Sequence, residues 1–264
     1  MEKKQLIHID DSVRAWLATL DDIIPQLVKD MVTSIKQNRF DLVTNVDKSI
    51  QQSFELFLKQ NFPEHQLFAE EKSNEDIQPK EGHVWVMDPI DGTTNLVKQQ
   101  EDYCIILGYF IEGEPMLSYI YDYPHGKLYK AVKGYGAFEN GRPLKAPENI
   151  DLQDAIISFN TLVMNDATIH DLNEASFGYR FIGSCGLDSV RVIKGQFGAH
   201  VNTNPKPWDI AAQFLFASEL GLKMTTLNNT PIDFSKAGPF IISNPTCHEK
   251  MLDILNTGQG YQLK

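Results

Sequence analysis

The strongest constraint on the fold is a short apolar segment, HVWVM at residues 83–87, that ends abruptly at an acidic residue. Its β-branched and aromatic side chains leave neither face polar, which is typical of a strand inside a sheet that is covered on both sides. The strand must end near Asp88, because Pro89 lacks a backbone donor and favours an extended conformation in the residue before it. The segment therefore predicts an interior strand with a carboxylate at its carboxyl edge.

A second carboxylate, Asp91, follows at the same edge. Close carboxylates repel each other unless a cation lies between them or one of them stays protonated. Gly92 permits a tight turn in which its N–H group, with those of Thr93 and Thr94, can point at an anion at the start of a following helix. The segment predicts a divalent metal beside a phosphate site, although an Asp-Gly pair is also typical of a simple hairpin between two strands.

The cysteine, histidine and charge content argue against several classes of protein. Three cysteines in 264 residues are far apart and form no CxxC pair, which predicts reduced thiols and no zinc site. The seven histidines have no HExxH-like spacing. We expect a soluble, cytoplasmic protein, because no apolar run is long enough to span a membrane and the first residues lack the apolar core of a signal peptide. A net charge of −11 disfavours binding to nucleic acid.

Apolar periodicity predicts the secondary structure. Spacings of three and four predict a long amphipathic helix from Ser12 to Ile35, which Pro25 should kink or divide. A second helix is expected after DLVTNVD, and six strands follow, with a hairpin at Asn140-Gly141. Beyond a polar stretch near residue 147, strands and helices alternate. We therefore expect a mixed α and β protein with layered sheets and helices, in two parts, 1–147 and 148–264.

Acidic residues in three other segments have simple local explanations. Asp47 stands three residues after Thr44, the spacing of a capping box. Glu70 and Glu71 end an apolar strand, where a solvated acidic turn has the same pattern. Asp209 lies in the first turn of a helix, where the helix dipole stabilises a carboxylate. Each acid nevertheless lies where a strand ends or a helix begins, the edge at which α/β folds bind ligands, and this joint placement favours one shared site.

Several motifs also carry a family resemblance. DPIDGTTN resembles the first signature of the inositol monophosphatase family, and WDIAA followed by a Glu and a Gly resembles its second. DLVTxxD, the paired Glu of FAEE and GYGAFENGRPL match the family in the same order, over residues from about 40 to 245. The resemblance implies a fold of alternating helix and sheet layers, a homodimer, dependence on Mg²⁺ and inhibition by lithium.

The resemblance also implies roles for individual residues. Two to three Mg²⁺ ions are expected per subunit. The first would bind Glu70, Asp88 and the carbonyl of Ile90; the second Asp88, Asp91 and Asp209; a weaker third Glu70 and waters. Glu70 and Thr93 would orient the attacking water, Asp47 would hold the Thr93 hydroxyl, and the N–H groups of Gly92 and Thr93 would bind the phosphate. The substrate-binding residues expected from the match are Asp91, Ser184, Cys185, Asn202 and Asp209.

The implied activity is hydrolysis of small phosphate monoesters, with inositol monophosphate as the first candidate substrate. Asn202 stands where inositol-specific members have a Glu, and Cys185 stands where an Ala is usual. A neutral amide lacks the charge that strengthens a hydrogen bond to a ring hydroxyl. NADP(H), adenosine bisphosphate and fructose bisphosphate therefore remain alternative substrates. Two alternatives of other classes are a noncatalytic metal-dependent binder of phosphorylated ligands and a purely structural dimer module.

Overall fold

A computed structural model describes residues 3–36, 39, 41–161, 164–236, 238–257 and 260–261. The helices are α1 (Lys3–Lys29), α2 (Asn45–Asn61), α3 (Thr93–Gln99), α4 (Asp166–Ala175), α5 (Cys185–Ile193), α6 (Pro207–Ile210), α7 (Gln213–Leu220) and α8 (Pro245–Asn256). The strands are β1 (Thr33–Ile35), β2 (Leu42–Thr44), β3 (Gln66–Ala69), β4 (His83–Asp91), β5 (Cys104–Ile111), β6 (Glu114–Asp122), β7 (Lys127–Val132), β8 (Gly136–Glu139), β9 (Arg142–Pro143), β10 (Ile156–Phe159), β11 (Gly178–Tyr179), β12 (Ala199–Asn202), β13 (Lys223–Thr226) and β14 (Phe240–Ser243).

Two large sheets and three helical layers alternate. A seven-stranded sheet has the order β3-β4-β5-β6-β7-β8-β9, and a five-stranded sheet has the order β11-β10-β12-β14-β13. Helices α1 and α2 cover one face of the larger sheet, α5 and α7 pack between the two sheets, and α4 and α8 cover the far face of the smaller sheet. The layered fold expected from the sequence is confirmed.

Strand β5 shows how the layers are built. Ile105, Leu107 and Tyr109 pack with the helices of the first layer, whereas Cys104 and Ile106 pack with α5 and α7. Side chains of a strand alternate between the two faces of its sheet, so an entirely apolar strand contributes to two cores at once. A continuous apolar strand in the sequence thus indicates a sheet that lies between two helical layers.

The first helix differs from its prediction. It starts at Lys3, passes through Pro25 without a break and ends at Lys29, so the expected division at the proline is wrong. Proline removes one hydrogen bond and crowds the carbonyl four residues earlier, but Leu20 and Ile24 bury the adjoining face of the helix and oppose a break. Residues 33–35, predicted to be helical, form β1, which pairs antiparallel with β2.

The strand is interior as predicted, but it continues through Pro89 to Asp91 instead of ending near Asp88, because the missing donor of Pro89 falls where the pairing with β5 is interrupted. Strand β4 is parallel to β3 and antiparallel to β5, and its pairing becomes irregular between Asp88 and Asp91. Gly92, with φ of 94°, leads into α3, so the alternative of a simple hairpin at Asp-Gly is wrong. The hairpin predicted at Asn140-Gly141 is confirmed between β8 and β9.

The two sheets divide along the chain near the predicted boundary. Strands β3 to β9 all precede residue 147, and β10 to β14 all follow it. That residues 1–147 and 148–264 are separate domains stays a prediction, because the layer of α5 and α7 packs against both sheets. Among the described residues, no helix has the length and hydropathy needed to cross a membrane.

Candidate active site

The acidic residues singled out in the sequence meet at the ends of β3 and β4 and at the start of α6. Asp88 is buried, and four other carboxylates act on it electrostatically, those of Glu70, Asp91, Asp209 and Asp47. Burial raises the pKa of Asp88 well above its ordinary value, and these negative charges raise it further. Burial also raises the pKa of Asp209, and the nearby charge of Asp91 adds to that shift. The site therefore concentrates negative charge that a cation would neutralise.

Glycine brings the Asp209 segment close to the larger sheet. A Cβ atom at Gly108 in β5 would lie 2.8 Å from the carbonyl oxygen of Ala211. Real Cβ contacts are never that short, so any other residue here would push the segment that carries Asp209 away from β4. Helix α6 begins with Pro207, and Asp209 accepts a 2.8 Å bond from the N–H of Lys206. Asp209 therefore caps the start of α6 and also belongs to the carboxylate cluster, while its stabilisation by the helix dipole stays a prediction.

Asp91 is held by the start of α5. Its Oδ1 accepts from the N–H of Cys185 at 3.1 Å, and its Oδ2 accepts from the N–H of Gly186 at 2.7 Å. The Ser184 hydroxyl donates to the same Oδ2, and the Cys104 thiol lies 3.4 Å from it. Burial raises the pKa of Asp91, although these donors oppose the shift. The carboxylate is therefore fixed in one orientation by a segment more than ninety residues away in sequence.

Thr93 lies between two acceptors. Its hydroxyl is 3.0 Å from Oδ1 of Asp47 and 3.0 Å from the carbonyl oxygen of Ile90. Asp47 also accepts from the N–H of Thr44 at 2.9 Å, so the predicted capping box is confirmed. Burial raises the pKa of Asp47, and hydrogen bonds from Thr44 and Thr93 oppose that rise. The same carboxylate caps α2 and orients the Thr93 hydroxyl, so its two interpretations do not exclude each other.

Lys36 is a site residue that the sequence analysis missed. Its Nζ lies 2.7 Å from Oε1 of Glu70 and also bonds to Glu71. Burial alone would lower the pKa of Lys36, but the two carboxylates raise it on balance. Nothing in the local pattern after β1 distinguishes this lysine, because its partners lie more than thirty residues away.

The donor set fits a hard divalent cation. The clustered groups are carboxylate oxygens with the nearby carbonyl of Ile90, and oxygen ligands suit Mg²⁺ better than Zn²⁺. Within the part of the chain that the structure describes, no three His, Cys, Asp or Glu side chains approach closely enough to hold an ion. Donors hold these carboxylates in place: Asp88 accepts from the N–H of Ile90, Asp91 from α5, and Glu70 from Lys36.

The predicted substrate residues border the carboxylate cluster and differ in their engagement. Ser184 is buried and its hydroxyl is bound to Asp91. Asn202 ends β12, and its Oδ1 accepts from Nδ2 of Asn160 at 3.2 Å and from the N–H of Asn204 at 3.0 Å. Cys185 is buried beside Asn202, and burial raises the pKa of its thiol. Their roles toward a substrate stay predictions, and Asn160 is a neighbour of the site that the sequence did not indicate.

Comparison with known proteins agrees with the fold and with the motifs. The model of the inositol monophosphatase family matches residues 8–259. Inositol-1-monophosphatase of Bacillus subtilis (strain 168) is 31% identical over 253 residues, which cover 93% of this chain and 96% of that protein. A crystal structure of IMPase/NADP phosphatase complexed with NADP and Ca²⁺ at pH 7.0 has a TM-score of 0.97 and 64% identity, and covers 98% of both chains.

A staphylococcal inositol monophosphatase-1, in an inhibitory complex soaked in 100 mM LiCl, has a TM-score of 0.96 and 64% identity, and covers 97% of both chains. These matches extend over nearly the whole sequence and include every segment that carries a clustered carboxylate. The chain therefore belongs to the inositol monophosphatase family, and it is a phosphatase that hydrolyses phosphate monoesters.

Proposed function

We propose that this protein is a Mg²⁺-dependent phosphatase whose substrates are inositol monophosphate and the phosphate monoester of NADP(H). The observation that carries the proposal is the buried group of carboxylates around Asp88. Burial raises the pKa of Asp88, and repulsion from the neighbouring carboxylates raises it further. Such a cluster is costly to maintain unless a cation compensates it. Two to three Mg²⁺ ions per subunit would do so.

We assign the metal-binding role to the side chains of Glu70, Asp88, Asp91 and Asp209 and to the carbonyl of Ile90. Bound Mg²⁺ would favour ionisation of an attacking water and neutralise charge on the phosphate and on the departing oxygen. The side chains of this protein hold and orient the reactants. The Thr93 hydroxyl donates to Asp47 or to the carbonyl of Ile90, which leaves an oxygen lone pair of Thr93 to accept a hydrogen bond from water. Glu70 would accept from the same water.

The phosphate would be bound by the N–H groups of Gly92 and Thr93. Gly92 adopts a positive φ, which aims the backbone at the start of α3 toward the carboxylate edge. A side chain at this position would place its Cβ 3.1 Å from the carbonyl oxygen of Asp102. Glycine therefore permits a turn in which backbone donors and acidic residues face the same ligand.

NADP is included as a second substrate because of Asn202. The neutral amide cannot provide the charged acceptor expected of an inositol-specific site, and its Oδ1 is already bonded to Asn160 and to the N–H of Asn204. The similar crystal structure with NADP bound supports the same choice. Ser184, Cys185 and Asn202 would then border the alcohol portion of either substrate without excluding one of them.

A phosphate-release panel tests the proposal. Inositol monophosphate, NADP, adenosine bisphosphate and fructose bisphosphate are compared at one Mg²⁺ concentration, with and without EDTA. We expect release that requires Mg²⁺, efficiencies highest for the first two compounds, and loss of release in Asp88→Asn. Undiminished turnover by Asp88→Asn would contradict the metal assignment. Binding of intact ligand without release would instead favour a noncatalytic binder.

We further propose a homodimer that buries an aromatic patch on an edge of the smaller sheet. The aromatic patch consists of Phe177, Tyr179 and Phe181, whose relative exposures are 75%, 36% and 49%. These side chains lie on and beside the edge strand β11, and exposed patches of this kind mark sites of association. A second copy, paired by a two-fold axis, would cover the patch in both subunits. Inhibition by Li⁺ and a cytoplasmic location are part of the same proposal, the latter from the three buried free cysteines.

A further inference from the structure

Three buried residues outside the carboxylate cluster form a chain of hydrogen bonds. Nδ1 of His200 lies 3.1 Å from the hydroxyl of Ser158, and that hydroxyl donates to Oδ1 of Asp188 at 2.6 Å. All three side chains have no exposed surface. Because the serine hydrogen is directed at the carboxylate, His200 must donate from Nδ1. The residue types are those of a hydrolytic triad, but the O–H of Ser158 donates to the carboxylate and not to the histidine, and the buried hydroxyl is not accessible to a substrate. A structural task is therefore the better explanation.

Asp188 also binds the loop that precedes α5. Its Oδ1 accepts from the N–H of Ile182 and its Oδ2 accepts from the N–H of Gly183, both at 3.2 Å. From the opposite side, Nδ2 of Asn95 donates to the carbonyl of Ile182 at 2.9 Å and to that of Asp102 at 2.8 Å. The loop is thus held between a buried carboxylate and an amide at the first turns of α3.

This loop leads directly into the donors that fix Asp91. Ser184 and the N–H groups of Cys185 and Gly186 all bond to Asp91. The start of α5 has little space to shift, since a Cβ at Gly186 would lie 2.7 Å from Sγ of Cys104. A displacement of the preceding loop would therefore change the orientation of the Asp91 carboxylate.

We propose that Asp188 is a positioning residue, which holds the start of α5 so that Asp91 presents its carboxylate to a divalent cation. The inference rests on the proposed metal-binding role of Asp91. Loss of a group that orients a metal ligand through hydrogen bonds typically lowers metal affinity by about 10- to 100-fold. Asp188 acts through the backbone of the loop and touches neither substrate nor metal.

Calorimetric titration with MgCl₂, and separately with CaCl₂, tests the proposal on the intact protein. Asp188→Asn keeps the side-chain volume but directs an NH₂ group at a backbone or hydroxyl donor. We expect its affinity for Mg²⁺ to fall about 10-fold or more. Ser158→Ala is the matched control, because it removes a bond to the same carboxylate and keeps those from Ile182 and Gly183. It should lower the thermal midpoint while its Mg²⁺ affinity stays within about 2-fold of that of the wild type.

A second variant tests the inference if Asp188→Asn does not fold. Asn95→Ala releases the same loop from its other side and should also weaken Mg²⁺ binding. The inference is overturned if the folded Asp188→Asn protein binds Mg²⁺ as the wild type does, or if Ser158→Ala weakens binding equally. If Asp188→Asn does not fold, wild-type Mg²⁺ binding by Asn95→Ala overturns it instead. Failure of the wild type itself to bind Mg²⁺ would overturn the proposed function, a result that differs from all of these.

Discussion

The sharpest prediction concerns the hydroxyl of Thr93. Replacement of Thr93 by valine keeps the shape of the side chain and removes the hydroxyl that lies 3.0 Å from Oδ1 of Asp47 and 3.0 Å from the carbonyl oxygen of Ile90. Asp47 keeps its bonds from Thr44. Loss of one hydrogen bond to a charged group lowers the free energy of unfolding by about 1.5–3 kcal/mol. If the hydroxyl also orients the attacking water, kcat should fall by roughly 10²- to 10⁴-fold.

Steady-state phosphate release at saturating Mg²⁺, with urea denaturation of the same preparations, measures both effects. Thr93→Ser is the matched control, since it keeps the hydroxyl while losing one methyl group. We expect the serine variant to retain most of the wild-type kcat and the valine variant to lose nearly all of it, with a much smaller change in KM. A valine variant with more than about one tenth of the wild-type kcat would refute the assigned role.

Three further predictions address packing, acid stability and assembly. Gly186→Ala should abolish phosphate release and weaken Mg²⁺ binding in calorimetry, because its Cβ would lie 3.1 Å from Oδ2 of Asp91 and closer still to Cys104. A Gly186→Ala protein that binds Mg²⁺ as the wild type does would contradict this prediction. Burial lowers the pKa of His200 from 6.5 to about 3, so the folded state favours its neutral form and loses stability as pH falls below 6.5. The His200 contribution is about 1.4 kcal/mol per pH unit. Burial raises the pKa of Asp188 to about 6, which acts in the opposite direction, so the effect is read from the difference between the wild type and His200→Gln in urea denaturation from pH 7.5 to 5. Light scattering should give a dimer for the wild type and a monomer for Phe181→Glu, and an unchanged mass would exclude the aromatic patch as the interface.

Much of the fold followed from local patterns. The apolar runs of β4 and β5 indicated a sheet covered on both faces, because a strand with two apolar faces must bury both. The Asn140-Gly141 hairpin was predictable because both positions need positive φ, which asparagine tolerates and glycine adopts freely since it has no Cβ atom. The end of α1 was not, since periodicity continues past Lys29 while the chain has already turned into β1.

The residues of the candidate site were indicated with uneven success. Asp88 and Asp91 were evident, because two acids after an apolar strand have few local explanations. Asp47 was ambiguous for a physical reason, since it does cap α2. Lys36 and Asp188 gave no signal, because a lone lysine in a turn and an acid in a first helical turn are common in any protein.

The sequence by itself determined where the acidic residues stand relative to strand ends and helix starts, and which turns the chain makes. These features depend on propensities and hydrogen bonds that reach only a few residues along the chain. Only the tertiary structure decided that Ser184 binds Asp91 across 93 residues and that Lys36 binds Glu70 across 34. Such contacts exist because the layers pack at fixed distances, and no local pattern records the side chain that will lie opposite.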